Sequence, residues 1–236
     1  GMGGHAHGDV ASTIAIVELT EAMKRLHGKS PDRVRRGIDH AHRAVRDAAA
    51  GRTGFARMGT TLTAVHIDGK RAHIGHVGDS RAYLVRGGKI TRLTTDQTMT
   101  EIMIEAGLMN EEERAYSPYA HQLAQAIGQV EKRLTVATST LELRDGDTFI
   151  LCSDGLTNLV LDREIEEMVR KGGPFEDTCR SLVDLANMRG GDDNSTVVIG
   201  SVRGRLPRAS ANETVASTHH ILQAFHVPAM VGAIAG

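Results

Sequence analysis

Phe149-Ile150-Leu151-Cys152-Ser153-Asp154-Gly155 is an apolar run that stops abruptly at a carboxylate and a glycine. The run reads as a buried strand, and the glycine allows a sharp turn, so Asp154 is expected at a strand end, open to a cation or a substrate. A second unit of the same design, Gly190-Gly191-Asp192-Asp193-Asn194, leads directly into the apolar strand Ser195-Thr196-Val197-Val198-Ile199. Two strand-end carboxylates brought together form a hard, oxygen-rich site of the kind that holds Mg2+ or Mn2+.

The 236 residues suffice for one sizeable core. Lysine and arginine total 28 against 29 aspartates and glutamates, which gives no argument for nucleic acid or an acidic membrane surface as partner. Cys152 lies in the apolar strand and Cys179 in an expected helix; these two read as packed, reduced thiols and point to a cytoplasmic setting. No apolar stretch reaches the roughly 18 residues of a membrane span, and no signal-peptide pattern is visible. The chain opens at Gly1 without an initiator methionine, as a processed or partial chain does.

Glycines at 1, 3, 4 and 8 feed a helical pattern with Val10, Ile14, Val17, Ala22, Met23 and Leu26 on one side. Ser30-Pro31 suits the start of a second helix through Val34, Ile38, Ala41 and Val45. His40 and His42 of that helix are two residues apart, do not share a face, and are expected to be solvated. From Gly59 short β-rich runs follow, with Asp68-Gly69 and Arg86-Gly87-Gly88 as turns of an expected antiparallel meander. Gly78-Asp79-Ser80-Arg81 interrupts it, as a turn bearing either a functional acid or a plain Asp–Arg surface pair.

Residues 96–128 leave the strand pattern and resemble a lid or insertion. Strand signals return before Phe149. Asp162 and Pro174 then open two helices, and Ser195 opens the last strand. Like elements are grouped rather than alternated, which favours layered α+β packing over a doubly wound parallel sheet.

Four stretches together resemble the metal-dependent protein Ser/Thr phosphatases of type 2C in their bacterial form. They are Gly1-Met2-Gly3-Gly4-His5 with Gly8 and Ala11-Ser12; Met58-Gly59-Thr60-Thr61-Leu62 with His76-Val77-Gly78-Asp79-Ser80-Arg81; Cys152-Ser153-Asp154-Gly155-Leu156; and Gly190-Gly191-Asp192-Asp193-Asn194. The resemblance implies a four-layer α-β-β-α sandwich, two antiparallel sheets flanked by helices, formed by residues 1–202, with residues 203–236 as linker and tail. It implies two or three Mn2+ or Mg2+ ions at one end of the sandwich. Asp154 and Asp193 match carboxylates on one metal, the backbone carbonyl of Gly1 a ligand of the other, and Asp79 a residue of a third. Met2 stands where eukaryotic relatives have a proton-donating histidine, leaving His5 as the candidate for that role or for substrate contact. The implied partners are phosphoproteins of Ser/Thr kinase signalling, with neither nucleic acid nor membrane.

The implied reaction is hydrolysis of phosphoserine and phosphothreonine by a metal-activated water, without a phospho-enzyme, so Cys152 is read as a core thiol. The family's metal-bridging Asp precedes the position of Gly1, so the chain is expected to be a piece lacking that segment. The alternatives are an impaired phosphatase-like binding module, or a tail, from Arg203 through Asn212-Glu213-Thr214 to Gly236, that replaces the missing strands. In the lid, Gln97 follows Asp96 where relatives usually carry His, and Ala120 falls where Arg is common.

Overall fold

The computed structural model describes residues 7–27, 31–52, 54–55, 58–129, 134–209, 213, 215 and 218–220. In chain order the elements are α1 (Gly8–Arg25), α2 (Pro31–Ala49), β1 (Leu62–Asp68), β2 (Arg71–Val77), β3 (Arg81–Arg86), β4 (Lys89–Arg92) and α3 (Met99–Glu105). They continue with β5 (Ala137–Glu142), β6 (Thr148–Cys152), α4 (Asp154–Thr157), α5 (Asp162–Arg170), α6 (Phe175–Met188), β7 (Val197–Ser201) and β8 (Thr218–His220).

Two antiparallel sheets result, in the orders β1-β2-β5-β8 and β4-β3-β6-β7. The expected meander is thus divided: the β1–β2 and β3–β4 hairpins belong to opposite sheets, and Gly78-Asp79-Ser80 is the crossing between them. Side chains alternate across a strand, so β3 sends Ala82 and Leu84 to one face and Tyr83 and Val85 to the other. Ala82, Leu84 and Phe149 meet Ala72, Ile74 and Leu141 between the sheets. Tyr83, Val85, Ile150 and Cys152 meet Leu156, Ile165 and Leu182 of the outer helices. A strand covered on both faces requires a continuous apolar run, which is why Phe149 to Cys152 has no polar break.

Beyond the other sheet, Val34, Ile38, Ala41 and Val45 of α2 are buried with Ala11 and Ala15 of α1. Gly75 of β2 permits that approach, since a Cβ there would lie 2.4 Å from Val34 and 2.7 Å from Ile38. The buried stripe of α1 is Ala11, Ala15 and Ala22, whereas Val17, expected inside, is 52% exposed. Small side chains let α1 lie close against α2, and the bulkier residues are displaced to its flanks. His42 likewise departs from expectation: it is buried, and its Nδ1 accepts the Gly128 amide at 3.1 Å. His40 stays on the surface side, 3.0 Å from Glu18. No helix of the described residues is long and apolar enough to cross a membrane.

The tail is docked where it is described. Leu206 and Val215 pack on the layer between the sheets, and β8 pairs with β5 through Thr140↔Thr218 and Thr138↔His220. Glu213 accepts from Arg144 Nε at 2.8 Å and sits 3.4 Å from Arg86 Nη1. Arg86 makes a bidentate bond to Asp147, at 2.8 and 2.7 Å, and its side chain is 5% exposed against 0% for its partner. Asn212, Thr214 and residues 221–236 lie outside the described residues.

Removing one partner of such a pair strands the other charge, so Asp147→Ala is expected to lower unfolding free energy in urea by about 3–5 kcal/mol. Glu213→Gln, at a half-buried pair, is expected to cost about 1 kcal/mol or less.

Burial lowers the pKa of His76 from 6.5 to about 4, while Nε2 donates to Thr95 O at 3.0 Å. The unfolded chain therefore binds a proton that the native chain refuses. The stability this histidine contributes is complete above its unfolded pKa and is lost as the pH falls through about 6.5 towards 4, about 3 kcal/mol in all. Urea titrations between pH 7 and 4.5 are expected to show that slope, and His76→Gln to reduce it.

Candidate functional site

The site is assembled where β6 and β7 end side by side. Their register, Cys152↔Val197, carries on into Ser153, whose amide donates to Thr196 O at 3.1 Å. The Ser153 hydroxyl donates to Asn194 O at 3.1 Å and accepts the Thr196 amide at 2.9 Å. This lacing draws the two acidic turns into contact. A Cβ on Gly155 would lie 2.7 Å from Asn194 O and 3.1 Å from Asp193 O, both backbone atoms. Gly155 is needed here for closeness rather than for the sharp turn expected of it: its φ lies outside the left-handed region, and Asp154 simply begins α4.

Each acid turns one oxygen back on the chain. Asp154 Oδ1 accepts the Gly155 amide at 3.0 Å, and Asp193 Oδ1 accepts the Asn194 amide at 2.7 Å. No other described residue donates a hydrogen bond to either carboxylate. Burial, and then the neighbouring charge of Asp193, push the Asp154 carboxyl above its usual range. Asp79, on the crossing between sheets, is pushed up to about 7 by burial, then by Asp154 and Asp96. Mutual repulsion thus links Asp79, Asp154 and Asp193 into one neighbourhood. Carboxylate oxygens that lack protein donors and repel one another are a donor set suited to a hard divalent cation, which takes one or two carboxylates and keeps several waters. Among the described residues no group of three or more His, Cys, Asp and Glu side chains is close enough to hold an ion by itself.

The Asp79–Arg81 surface pair raised as the plain reading of this turn does not form. Arg81 forks onto Asp96, Nε to Oδ1 at 3.1 Å and Nη2 to Oδ2 at 2.8 Å, and Arg92 reaches the same carboxylate at 2.5 Å. Burial opposes the charge on Arg81, but bonding to Asp96 outweighs it and raises its pKa. Asp79 is left buried, 9% exposed, and among the described residues no cationic side chain is hydrogen-bonded to it. His121, in the lid-like segment, is close enough to Asp154 to favour its charged form. Nothing in the local pattern of the sequence marks that histidine. Cys152 is 5% exposed, and burial pushes its thiol up to about 12, as a core residue requires. Gly1, Met2 and His5 lie outside the described residues. The described chain begins at His7, stacked on Phe55 with ring centroids 3.6 Å apart.

Residues 1–192 match the family model for protein phosphatase 2C, and the layered fold of two antiparallel sheets with outer helices matches a solved phosphatase of that type. The chain belongs to that family. It is 38% identical over 210 residues to the serine/threonine protein phosphatase PstP of Mycobacterium tuberculosis, covering 86% of this chain and 39% of PstP. The chain thus spans well under half the length of that relative. The crystal structure of the M. tuberculosis phosphatase PstP/Ppp is similar with a TM-score of 0.78 at 31% identity, covering 86% of each chain. A structure of the PstP catalytic domain in complex with two manganese ions aligns with a TM-score of 0.73 at 32% identity, covering 85% of this chain and 84% of that one.

Gly155→Ala should force the two acidic turns apart and lower stability by about 1–3 kcal/mol in urea. Gly204→Ala, with open space around the added carbon, is the control and should leave it unchanged.

Proposed function

We propose that this chain is a metal-dependent phosphatase that removes phosphate from phosphoserine and phosphothreonine in proteins. The observation that carries the reading is the contact of Asp154-Gly155 with Asp193-Asn194, where beyond the Gly155 and Asn194 amides no other described residue donates a hydrogen bond to either carboxylate. Family membership and the manganese-bound relative support it. In this reading Asp154 and Asp193 hold one Mn2+ or Mg2+, the Gly1 carbonyl serves a second, and Asp79 serves a third. Bound divalent cations supply charge neutralisation at the phosphoryl oxygens and a water of lowered pKa for in-line attack.

The chain's own part is to hold acidic oxygens at fixed strand ends, aimed at one place, before any ligand arrives. Placement by sheet pairing suits this, because strands shift less than loops. His5 is the candidate proton donor or substrate contact. The phosphatase-like unit comprises residues 1–202, and residues 203–236 form an appended tail whose described part is docked on it. The substrates are phosphoproteins of a bacterial cytoplasmic Ser/Thr kinase pathway, with no nucleic acid or membrane involved.

The second reading, a phosphatase-like module that binds phosphoproteins without turnover, is favoured by the absence of a group of three or more ligating side chains among the described residues. Turnover of a phosphothreonine peptide with Mn2+ separates the two. Hydrolysis that stops with EDTA and falls at least about a hundredfold in Asp154→Asn and Asp193→Asn supports the enzyme. Peptide binding that is indifferent to metal, without phosphate release, supports the module.

A further inference from the structure

Asp79 lies on the crossing between β2 and β3, away from the β6–β7 ladder whose lacing at Ser153 draws the turns of Asp154 and Asp193 together. Something else must fix its direction. Gly78, immediately before it, has φ 107 and is pressed against Thr61, whose Cγ2 would be 2.4 Å from an added Cβ. On its other side Gly78 is held by Gln97. The Gln97 amide donates to Gly78 O at 2.7 Å, and the Gln97 side-chain Oε1 accepts the Gly78 amide at 2.9 Å. Gln97 therefore bonds both the amide and the carbonyl of Gly78, the one through its side chain and the other through its backbone.

Gln97 is itself fixed from behind. It is 8% exposed, its carbonyl accepts the Ala124 amide at 2.8 Å, and its Nε2 lies 3.5 Å from Thr135 O. Its neighbour Asp96 anchors Arg81 just beyond the other end of the turn. The segment 96–97 thus grips the Gly78–Arg81 turn at both ends, with Asp79 between.

We propose that Gln97 is a positioning residue for the Asp79 carboxylate, setting through Gly78 the strength with which Asp79 takes a divalent cation. The inference rests on the metal-dependent reading above. Without the Oε1 acceptor the Gly78 amide is buried and unbonded, the crossing relaxes, and a carboxylate already repelled by Asp154 and Asp96 turns away. The effect falls on the Asp79 ion, because Asp154 and Asp193 are laced by β6 and β7 and have no bond to Gln97.

The test is calorimetric titration of the full chain with Mn2+, beside the Gly78 amide chemical shift. Gln97→Met fills the same space without an acceptor, and Gln97→His restores a ring nitrogen that can accept. Asp79→Ala identifies the binding event that belongs to Asp79. Gln97→Met is expected to weaken that event about tenfold, leave the remaining Mn2+ binding unchanged, and move the Gly78 amide upfield; Gln97→His is expected to recover most of the affinity. Unaltered binding in Gln97→Met, or equal weakening of every event, overturns the proposal while leaving the phosphatase reading intact. If the unsubstituted chain takes up no Mn2+, the phosphatase reading falls and this inference with it. Should Gln97→Met fail to fold, Gln97→His alone decides, since an unshifted Gly78 amide with weakened Asp79 binding contradicts a role exerted through Gly78.

Discussion

Two carboxylates that repel each other are held together by the pairing of two strands. Left free, Asp154 and Asp193 would separate, and burial makes their proximity more costly still, as the raised pKa of Asp154 records. What opposes the repulsion is the β6–β7 ladder, extended past its last strand residue by Ser153, and an apolar layer on each face of β6. Apolar burial of this extent gives a folded chain the means to tolerate a local electrostatic cost. The remaining architecture can be read as support for that one juncture.

The support is arranged in layers. Helices α4 to α6 cover the outer face of β3 and β6, so the strand that ends at Asp154 cannot tilt without opening the cluster around Tyr83 and Leu182. Between the sheets, Leu84 and Phe149 meet Ile74 and Leu141, which fixes the crossing at Gly78 relative to β6. The lid-like segment then closes on that crossing through Asp96 and Gln97. Strain and repulsion at a site of this kind are features that surrounding packing must over-determine.

Most of the fold was legible in the sequence because its strands and helices carry their burial in their periodicity. The run from Phe149 to Cys152, the Asp68-Gly69 and Gly87-Gly88 turns, and the glycine that ends α3 at Gly107 all declare themselves locally. The division of the hairpins between two sheets was not legible, because alternation tells which residues are buried and not which sheet buries them. The burial of His42 and the alanine stripe of α1 were missed for a similar reason: both depend on how close a neighbour comes. At the site, Asp154, Asp193 and Asp79 stood out by motif. The partnership of Arg81 with Asp96, the grip of Gln97 on Gly78 and the approach of His121 involve segments far apart in the chain, and no spacing rule reaches them.

The central claim is that the ends of β6 and β7 present Asp154 and Asp193 to a common divalent cation. Crystals of the chain grown with Mn2+, with diffraction recorded at the manganese absorption edge, test it most directly. The account predicts an anomalous peak within about 2.0–2.6 Å of an oxygen from each of the two carboxylates. Manganese bound elsewhere, with Asp154 and Asp193 turned away from each other, would contradict it.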